Sequence, residues 1–420
     1  MNDDVHAPYS KLLMAAALAA AAFVHRANAE PKTAETPPPQ AKPPQAEPAK
    51  EGLAPADLDA LAGSLEKSFA GQPQTEAVRM LIAIARGSQM GPGEGWFGPG
   101  QSRYTWDWLA GAQGLKDAKE ISKEQFRGDP AWFERLDRNR DGRLVAADLD
   151  WSDDNPYVRQ YYLANRMLRR ADKQGDGRLT RDEWLALFDK AARGREHATT
   201  VDLAELLLAG QGGGFAPDDE PAPAMLIRGL FRGEIGSLNE GPGVNAPAPD
   251  FQLKTHDGKQ TIRLSELRGS KPIVLVFGNF TCGPFRSMYP LVDDLKQRYQ
   301  DEAEFLAVYV REAHPSDGWR MGSNARLGVE LAQPKTYDER VTAAQQCHAA
   351  LKYSMPLLVD AINDPVGNSY SGMPARLYVI DRDGKVAYKS GRGPFGFKTG
   401  EMEQALLMTL IERQSETAAE

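Results

Sequence analysis

Two cysteines stand in the 420 residues, and one of them is placed for chemistry. Cys282 follows the apolar run Ile273-Val-Leu-Val-Phe277 and the break Gly278-Asn279, and it precedes Gly283-Pro284. A short run rich in β-branched and aromatic residues reads as a strand buried on both faces. Proline belongs in the first turn of a helix. Helical spacing then appears at Met288, Leu291, Val292 and Leu295. Cys282 is therefore expected at a strand-to-helix junction, at the positive end of the helix dipole. There its thiolate is favoured and its pKa should fall below the free value of about 8.5. His314 lies just past a second strand-like run, near Asp317. A neutral imidazole there can act as acid or base near pH 7, or simply cap a loop. Cys347 lies in the helical stretch Val341–Leu351. It reads either as a resolving cysteine for an oxidised Cys282 or as a small apolar residue against a sheet.

A second kind of chemistry is written in two acidic loops. The first offers Asp137, Asn139, Asp141, the Arg143 carbonyl and Asp148; the second offers Asp172, Gln174, Asp176, the Arg178 carbonyl and Glu183. Alternate oxygen side chains converge when a chain wraps a cation, and glycine at the sixth position (Gly142, Gly177) permits the sharp turn. Both resemble EF-hand calcium loops. Leu144 and Leu179 stand where paired loops form a short ladder, and the loops begin 35 residues apart. Trp132, Phe133 and Leu136 enter the first, and Trp184, Leu185 and Phe188 leave the second. Asp148 is one methylene shorter than glutamate and Gln174 lowers the ligand charge, so weak, structural calcium is expected. The alternative is a helical pair that keeps its shape without metal.

These residues need elements to position them. From Pro247 onward the pattern alternates strand and helix. Phe251–Leu253 and Thr261–Leu264 flank an Asp257-Gly258 turn, with His256 beside it as a loop residue. Ile273–Phe280, helix Pro284–Tyr299 and strand Glu304–Val310 make a parallel β-α-β unit. Leu357–Val359 is a further strand. Arg376–Ile380 and Lys385–Tyr388 form a hairpin, and helix Glu401–Ile411 closes the domain. Upstream, Leu58, Leu61, Leu65 and Phe69, then Val78, Leu81, Ile82 and Ala85, mark amphipathic helices. Leu203, Leu206, Leu207 and Leu208 mark another, and the apolar segment Ala224–Phe231 can dock on either unit. The glycine-rich stretch 91–100 lacks the Lys and Ser/Thr of a phosphate loop, so it reads as a structural loop with Trp96 and Phe97 packed down.

The order of the C-terminal elements is that of a thioredoxin fold. Thr281-Cys282-Gly283-Pro284 resembles the start of a thioredoxin active site, with Phe285 in place of the second cysteine. A local dithiol cannot form, which turns the chemistry from dithiol exchange to nucleophilic or peroxide chemistry. Met373-Pro374 resembles the cis-proline that faces the cysteine in that fold, next to any bound substrate. Three stretches resemble the iodothyronine deiodinases: Phe277–Phe285, Tyr309-Val-Arg-Glu-Ala-His-Pro-Ser-Asp-Gly-Trp319 and Gly391-Arg-Gly-Pro394, along with Arg376–Ile380. The resemblance covers 244–413. It implies that Cys282 takes the place of a selenocysteine that attacks iodine on an aromatic ring, with slower turnover. It implies further that His314 binds the phenol and handles its proton, that Arg392 clamps the other end of the substrate, and that Thr281, Glu312, Ser316 and Asp317 form the surrounding network. Phe280 replaces a second family cysteine, and Pro334 falls near a second family histidine.

Composition and the chain's start complete the expectation. A net charge of −8 argues against a nucleic-acid partner, and two cysteines exclude a disulfide scaffold. Residues 12–24 are apolar, shorter than the ~20 residues of a membrane span, and Ala27-Asn28-Ala29 supplies a small-x-small cleavage pattern. Lys11 is the sole basic residue before the run, and Asp3 and Asp4 oppose it. The reading is a signal peptide over 1–29, a disordered Pro-rich linker over 30–55, an all-α EF-hand pair domain over 56–209, a linker over 210–243 and an α/β thioredoxin-like domain over 244–415. A bacterial protein exported to the periplasm or cell exterior is expected, with no membrane span in the mature chain. Its partners would be a small-molecule substrate, Ca2+ and an external thiol reductant; a homodimer is compatible. The function expected is a deiodinase-like redox enzyme. The alternatives are a peroxiredoxin-like or thiol-disulfide oxidoreductase and a calcium-binding module with an inactive thioredoxin domain.

Overall fold

The computed structural model describes residues 55–72, 74–86, 100–152, 154–174, 177–208, 223–236, 238–393 and 396–417. The expected signal segment, the first linker up to residue 54, residues 210–222 of the second, the Trp96–Phe97 loop, Asp176 and Pro394 lie outside the described residues. Helices α1 (Pro55–Ser68) and α2 (Glu76–Ala85) come first. Next come β1 (Gln101–Ser102), α3 (Trp106–Ala112), β2 (Glu120–Ser122), α4 (Pro130–Leu136), β3 (Arg143–Val145) and α5 (Ala146–Leu149). Helices α6 (Pro156–Ala171), α7 (Arg181–Ala192), α8 (Thr200–Leu208) and α9 (Pro223–Phe231) follow. The C-terminal part runs β4 (Gln252–Thr255), β5 (Thr261–Arg263), β6 (Ile273–Gly278), α10 (Gly283–Arg298), β7 (Glu304–Tyr309) and α11 (Gly322–Arg326). It ends with α12 (Tyr337–Leu351), β8 (Leu357–Val359), α13 (Pro365–Ser369), β9 (Arg376–Ile380), β10 (Val386–Lys389) and α14 (Thr399–Thr417).

One mixed sheet has the order β1-β10-β9-β6-β7-β8-β4-β5. Strand β6 is its axis. Every residue of β6 is buried, because an apolar run without alternation can only be covered on both faces. Each such side chain contributes about 1.5–3 kcal/mol on burial, so the strand is a rigid platform for the residues at its end. It pairs in parallel with β7, Gly278 opposite Tyr309, and antiparallel with β9, Phe277 opposite Arg376. The β6-α10-β7 unit, the β9–β10 hairpin and α14 together have the thioredoxin topology. The Met373–Pro374 peptide is cis.

Residues 56–209 are distributed over three clusters. Leu109, Ile121, Phe133, Leu136 and Leu144 join the core of the sheet, and β1 extends its edge beside β10. Helices α1 and α2 pack with Leu226, Ile227 and Leu230 of α9. A small third cluster holds Ala171, Leu187 and Leu206. The expected ladder between Leu144 and Leu179 is replaced: Leu144 pairs with Ile121, in antiparallel register across β2 and β3. The earlier segment supplies the strand partner, so Leu179 stays exposed, as do Trp184, Leu185 and Phe188 on α7. His256 stays in the turn, half-buried, with its ring stacked on His348 at 3.9 Å. Among the described residues no helix is long and apolar enough to cross a membrane.

Candidate active site

Strand β6 ends at Gly278 and α10 begins at Gly283, with Cys282 as its N-cap. The turn between them is pinned by side chains from three elements. Asn279 Oδ1 accepts from the Cys282 amide at 3.0 Å and from the Ala313 amide at 3.2 Å. Its Nδ2 donates to the Pro374 carbonyl at 2.9 Å. Glu312 Oε2 accepts from the Thr281 amide at 2.9 Å and the Thr281 hydroxyl at 2.7 Å. The His314 amide in turn donates to Thr281 Oγ1 at 3.0 Å. One helical turn past the cysteine, Arg286 donates to Asn324 Oδ1 at 2.8 Å and to the Phe280 carbonyl. Asn324 Nδ2 closes the ring on the Thr281 carbonyl at 2.7 Å.

Burial dominates the electrostatics. Cys282 is 2% exposed, and its thiol pKa is pushed up to about 11. Desolvation is the largest cause; the Phe285 amide and Arg286 oppose it, and the Glu312 charge adds to it. The expected lowering at a helix end is thus overturned, because a helix terminus helps a thiolate less than loss of water harms it. Glu312 is also pushed up by burial, against hydrogen bonds from the Tyr309 and Thr281 hydroxyls. Cys347 is a free thiol in α12, sealed and pushed up by burial, with its sulfur 3.9 Å from the Tyr353 hydroxyl.

His314 is half-buried. Its Nδ1 lies 3.2 Å from the Trp319 carbonyl, and its ring meets the Trp319 ring edge-on at 4.6 Å. A carbonyl only accepts, so Nδ1 carries the hydrogen; in the neutral ring Nε2 is then the acceptor. Asp317 accepts from the Gln333 amide at 2.8 Å, and Gln333 also brackets Glu312.

Arg392 lies on the loop after β10, joined to the cis-proline segment by the Gly393 amide on the Ala375 carbonyl at 2.8 Å. It is 1% exposed and donates to Ser371 Oγ at 3.1 Å and to Glu76 Oε2 at 3.3 Å. Glu76, on α2, also accepts from Arg376 of β9 at 2.6 Å and has Lys389 of β10 at 3.5 Å. Burial would raise the Glu76 pKa, but the charges of Arg376, Arg392 and Lys389 outweigh it and hold it at about 2. Burial pushes Lys389 down to about 8 and Arg392 down to about 10, with Arg376 repulsion adding to both.

The C-terminal part of the chain has counterparts elsewhere. Residues 228–409 match the profile of the iodothyronine deiodinase family. A thyroxine 5-deiodinase of Gallus gallus is 33% identical over 218 residues, which span 50% of this chain and 82% of that protein. The chain belongs to the iodothyronine deiodinase family. It is an oxidoreductase of deiodinase type. It is also similar to the type II iodothyronine deiodinase of Sus scrofa, 31% identical over 186 residues, 43% of this chain and 65% of that one. Among solved structures, a putative thiol:disulfide interchange protein DsbE of Chlorobium tepidum is 22% identical with a TM-score of 0.29, covering 41% of this chain and 99% of its own. The exposed lipoprotein thioredoxin Etrx1 of Streptococcus pneumoniae is 22% identical with a TM-score of 0.27, covering 38% and 98%.

The site of this deiodinase-family chain gathers Thr281, Cys282, Glu312, His314 and Pro374 through direct hydrogen bonds or through Asn279. Sequence reasoning missed Asn279, Arg286 and Asn324. Arg286 could have been found from its i+4 spacing to Cys282 on the helix; Asn279 reads locally as a mere strand breaker. The acidic loops lie apart from these residues in the chain, though the second reaches α10. In the first loop, Asp137 accepts from the Asp141 amide at 3.2 Å and the Gly142 amide at 2.9 Å, and Asp148 accepts from the Val145 amide at 2.9 Å. In the second, Asp172 accepts from the Gly177 amide at 2.7 Å, and Glu183 from the Lys173 and Thr180 amides, each at 3.0 Å. Among the described residues no three of His, Cys, Asp and Glu are gathered as metal donors.

Proposed function

We propose that this protein removes iodine reductively from an iodinated phenol, with Cys282 as the nucleophile. The observation that carries the reading is the hydrogen-bonded frame that fixes Cys282, Thr281, Glu312 and His314 around Asn279. The Cys282 thiolate attacks iodine; an S–I bond forms, the C–I bond breaks, and the ring carbon takes a proton. His314 holds the phenol and manages its proton. An external thiol displaces iodide from sulfur as a mixed disulfide, and a second thiol releases Cys282. The balance is one aryl iodide and two thiols giving one arene, one disulfide, iodide and a proton. The test is iodide release from thyroxine with dithiothreitol. Release is expected from the wild type and should fall to background in Cys282→Ser; a folded wild type that releases none overturns the reading.

Calcium is the ligand proposed for the loops 137–148 and 172–183. Gly142 and Gly177 take the left-handed turn that an EF-hand loop needs at its sixth position (φ of 81° and 74°). A Ca2+ titration followed by calorimetry should show saturable heat that Asp137→Asn and Glu183→Gln together remove; no heat at millimolar Ca2+ overturns it.

A further inference from the structure

We propose that helices α1, α2 and α9 form an intramolecular cap over the active-site mouth, held shut by Glu76 acting as an internal stand-in for a carboxylate ligand. The inference rests on the deiodinase reading for the site beneath it. Three observations place the cap. Its apolar cluster, including Val78, Leu81, Leu226 and Ile227, packs against Trp319, the residue whose ring and carbonyl contact His314. The chain leaving α9 lies on Arg392, where a Cβ at Gly236 would come within 2.3 Å of Nη1. Glu76 then fills the space among Arg376, Lys389 and Arg392. Cys282 is sealed in the same state.

The cluster under the cap is built for an anion larger than one side-chain carboxylate. Three buried cations face the single buried carboxylate of Glu76, with the exposed Glu240 at the rim, where it accepts from the Glu76 amide at 2.6 Å. Arg376 Nε and Arg392 Nε and Nη1 have no hydrogen-bond partner among the described residues. Buried guanidinium donors without acceptors are costly, and a carboxylate-bearing ligand would satisfy them. A substrate with a phenol at one end and a carboxylate at the other would compete with Glu76 directly, opening the cap by mass action.

The test uses the full chain and reads Cys282, not turnover. Iodoacetamide labelling of Cys282 and Cys347 is followed by peptide mass spectrometry in wild type, Glu76→Gln and Glu76→Asp, with the fold checked by near-UV circular dichroism. Glu76→Gln should label Cys282 at least about tenfold faster with Cys347 unchanged, and Glu76→Asp should fall between. A folded Glu76→Gln with wild-type labelling overturns the cap. If both cysteines label together the variant has unfolded, and the wild type decides by hydrogen exchange. Thyroxine should then speed exchange in 76–85 and 226–235, while 3,5-diiodophenol, which lacks a carboxylate, should not. Equal effects of the two, or none from thyroxine, overturn the proposal. Failure of the deiodinase reading would show separately, as absent iodide release from every variant.

Discussion

At Cys282 two local effects oppose each other and burial wins. The thiol is held at about 11 because water is excluded, while the Phe285 amide and Arg286 supply the pull toward thiolate. The folded pKa is raised above the ordinary 9.0, so the thiol's contribution to stability is present below about pH 9 and is lost as pH rises through about 11. Labelling of wild-type Cys282 should therefore rise about tenfold per pH unit through neutrality, with no plateau below about pH 8. A plateau near pH 6 or 7, measured by labelling rate against pH, would show a low-pKa thiolate and contradict the sealed site. Glu312 is the second decisive residue. Its two oxygens accept from Thr281 and Tyr309, and an amide in their place would set an N–H against one of those donors. Glu312→Gln should cost about 1–3 kcal/mol of stability and lower kcat more than it raises KM. Urea unfolding and steady-state iodide release check the two halves, and unchanged kcat would remove Glu312 from the site.

Among the elements, α10 touches both candidate sites, with Cys282 capping its start and the second acidic loop against its flank. The second acidic loop rests on it: a Cβ added to Gly177 would lie 2.0 Å from the Ser287 carbonyl oxygen, and Gly177 already takes a φ of 74°. Both the strain and the clash oppose a side chain there. Gly177→Ala should destabilise the protein by about 1–3 kcal/mol, read as a lower urea midpoint. An unchanged midpoint would mean that the loop does not rest on α10 in solution. The element patterns themselves were plain in the sequence. The apolar run of β6, the Pro284 helix start and the period-3.6 face of α10 each report their own surroundings, and Met373-Pro374 marks its own turn. The Ile121–Leu144 pair was not, because a three-residue strand at 120–122 has too few positions to show a period.

Across the whole molecule, the cap is joined to the sheet by charge as well as by apolar contact. Glu76 is held at about 2, below the ordinary 4.5, so its contribution is present above about pH 4.5 and is lost as pH falls through about 2. That shift corresponds to roughly 3 kcal/mol. The cations that face it are Arg376, Lys389 and Arg392, with the Glu240 side chain at the rim; burial and repulsion leave Lys389 at about 8 and Arg392 at about 10, and Arg376 is raised, so all three stay largely charged between pH 5 and 7. Mild acidification should therefore leave the cap docked. Exchange rates of the α2 amides, corrected for intrinsic chemistry, should match at pH 5 and pH 7; a large acceleration at pH 5 would show that another contact controls the cap. Breaking a buried pair by removing one partner costs about 3–5 kcal/mol, even where the intact pair adds little net stability. Glu76 is thus better placed to control docking than to stabilise the fold.

The sequence by itself determined the β-α-β order, a cysteine at a strand-to-helix junction and the motifs shared with deiodinases, because each is carried by neighbouring residues and by short periods. Tertiary structure alone decided the ionisation of Cys282, the placing of the Trp319 ring and carbonyl against His314, and the Glu76–Arg376 contact between residues 300 positions apart. Burial sums the water excluded by distant segments, and an ion pair leaves no periodic trace in either of its two stretches, so neither could be read before the chain was folded.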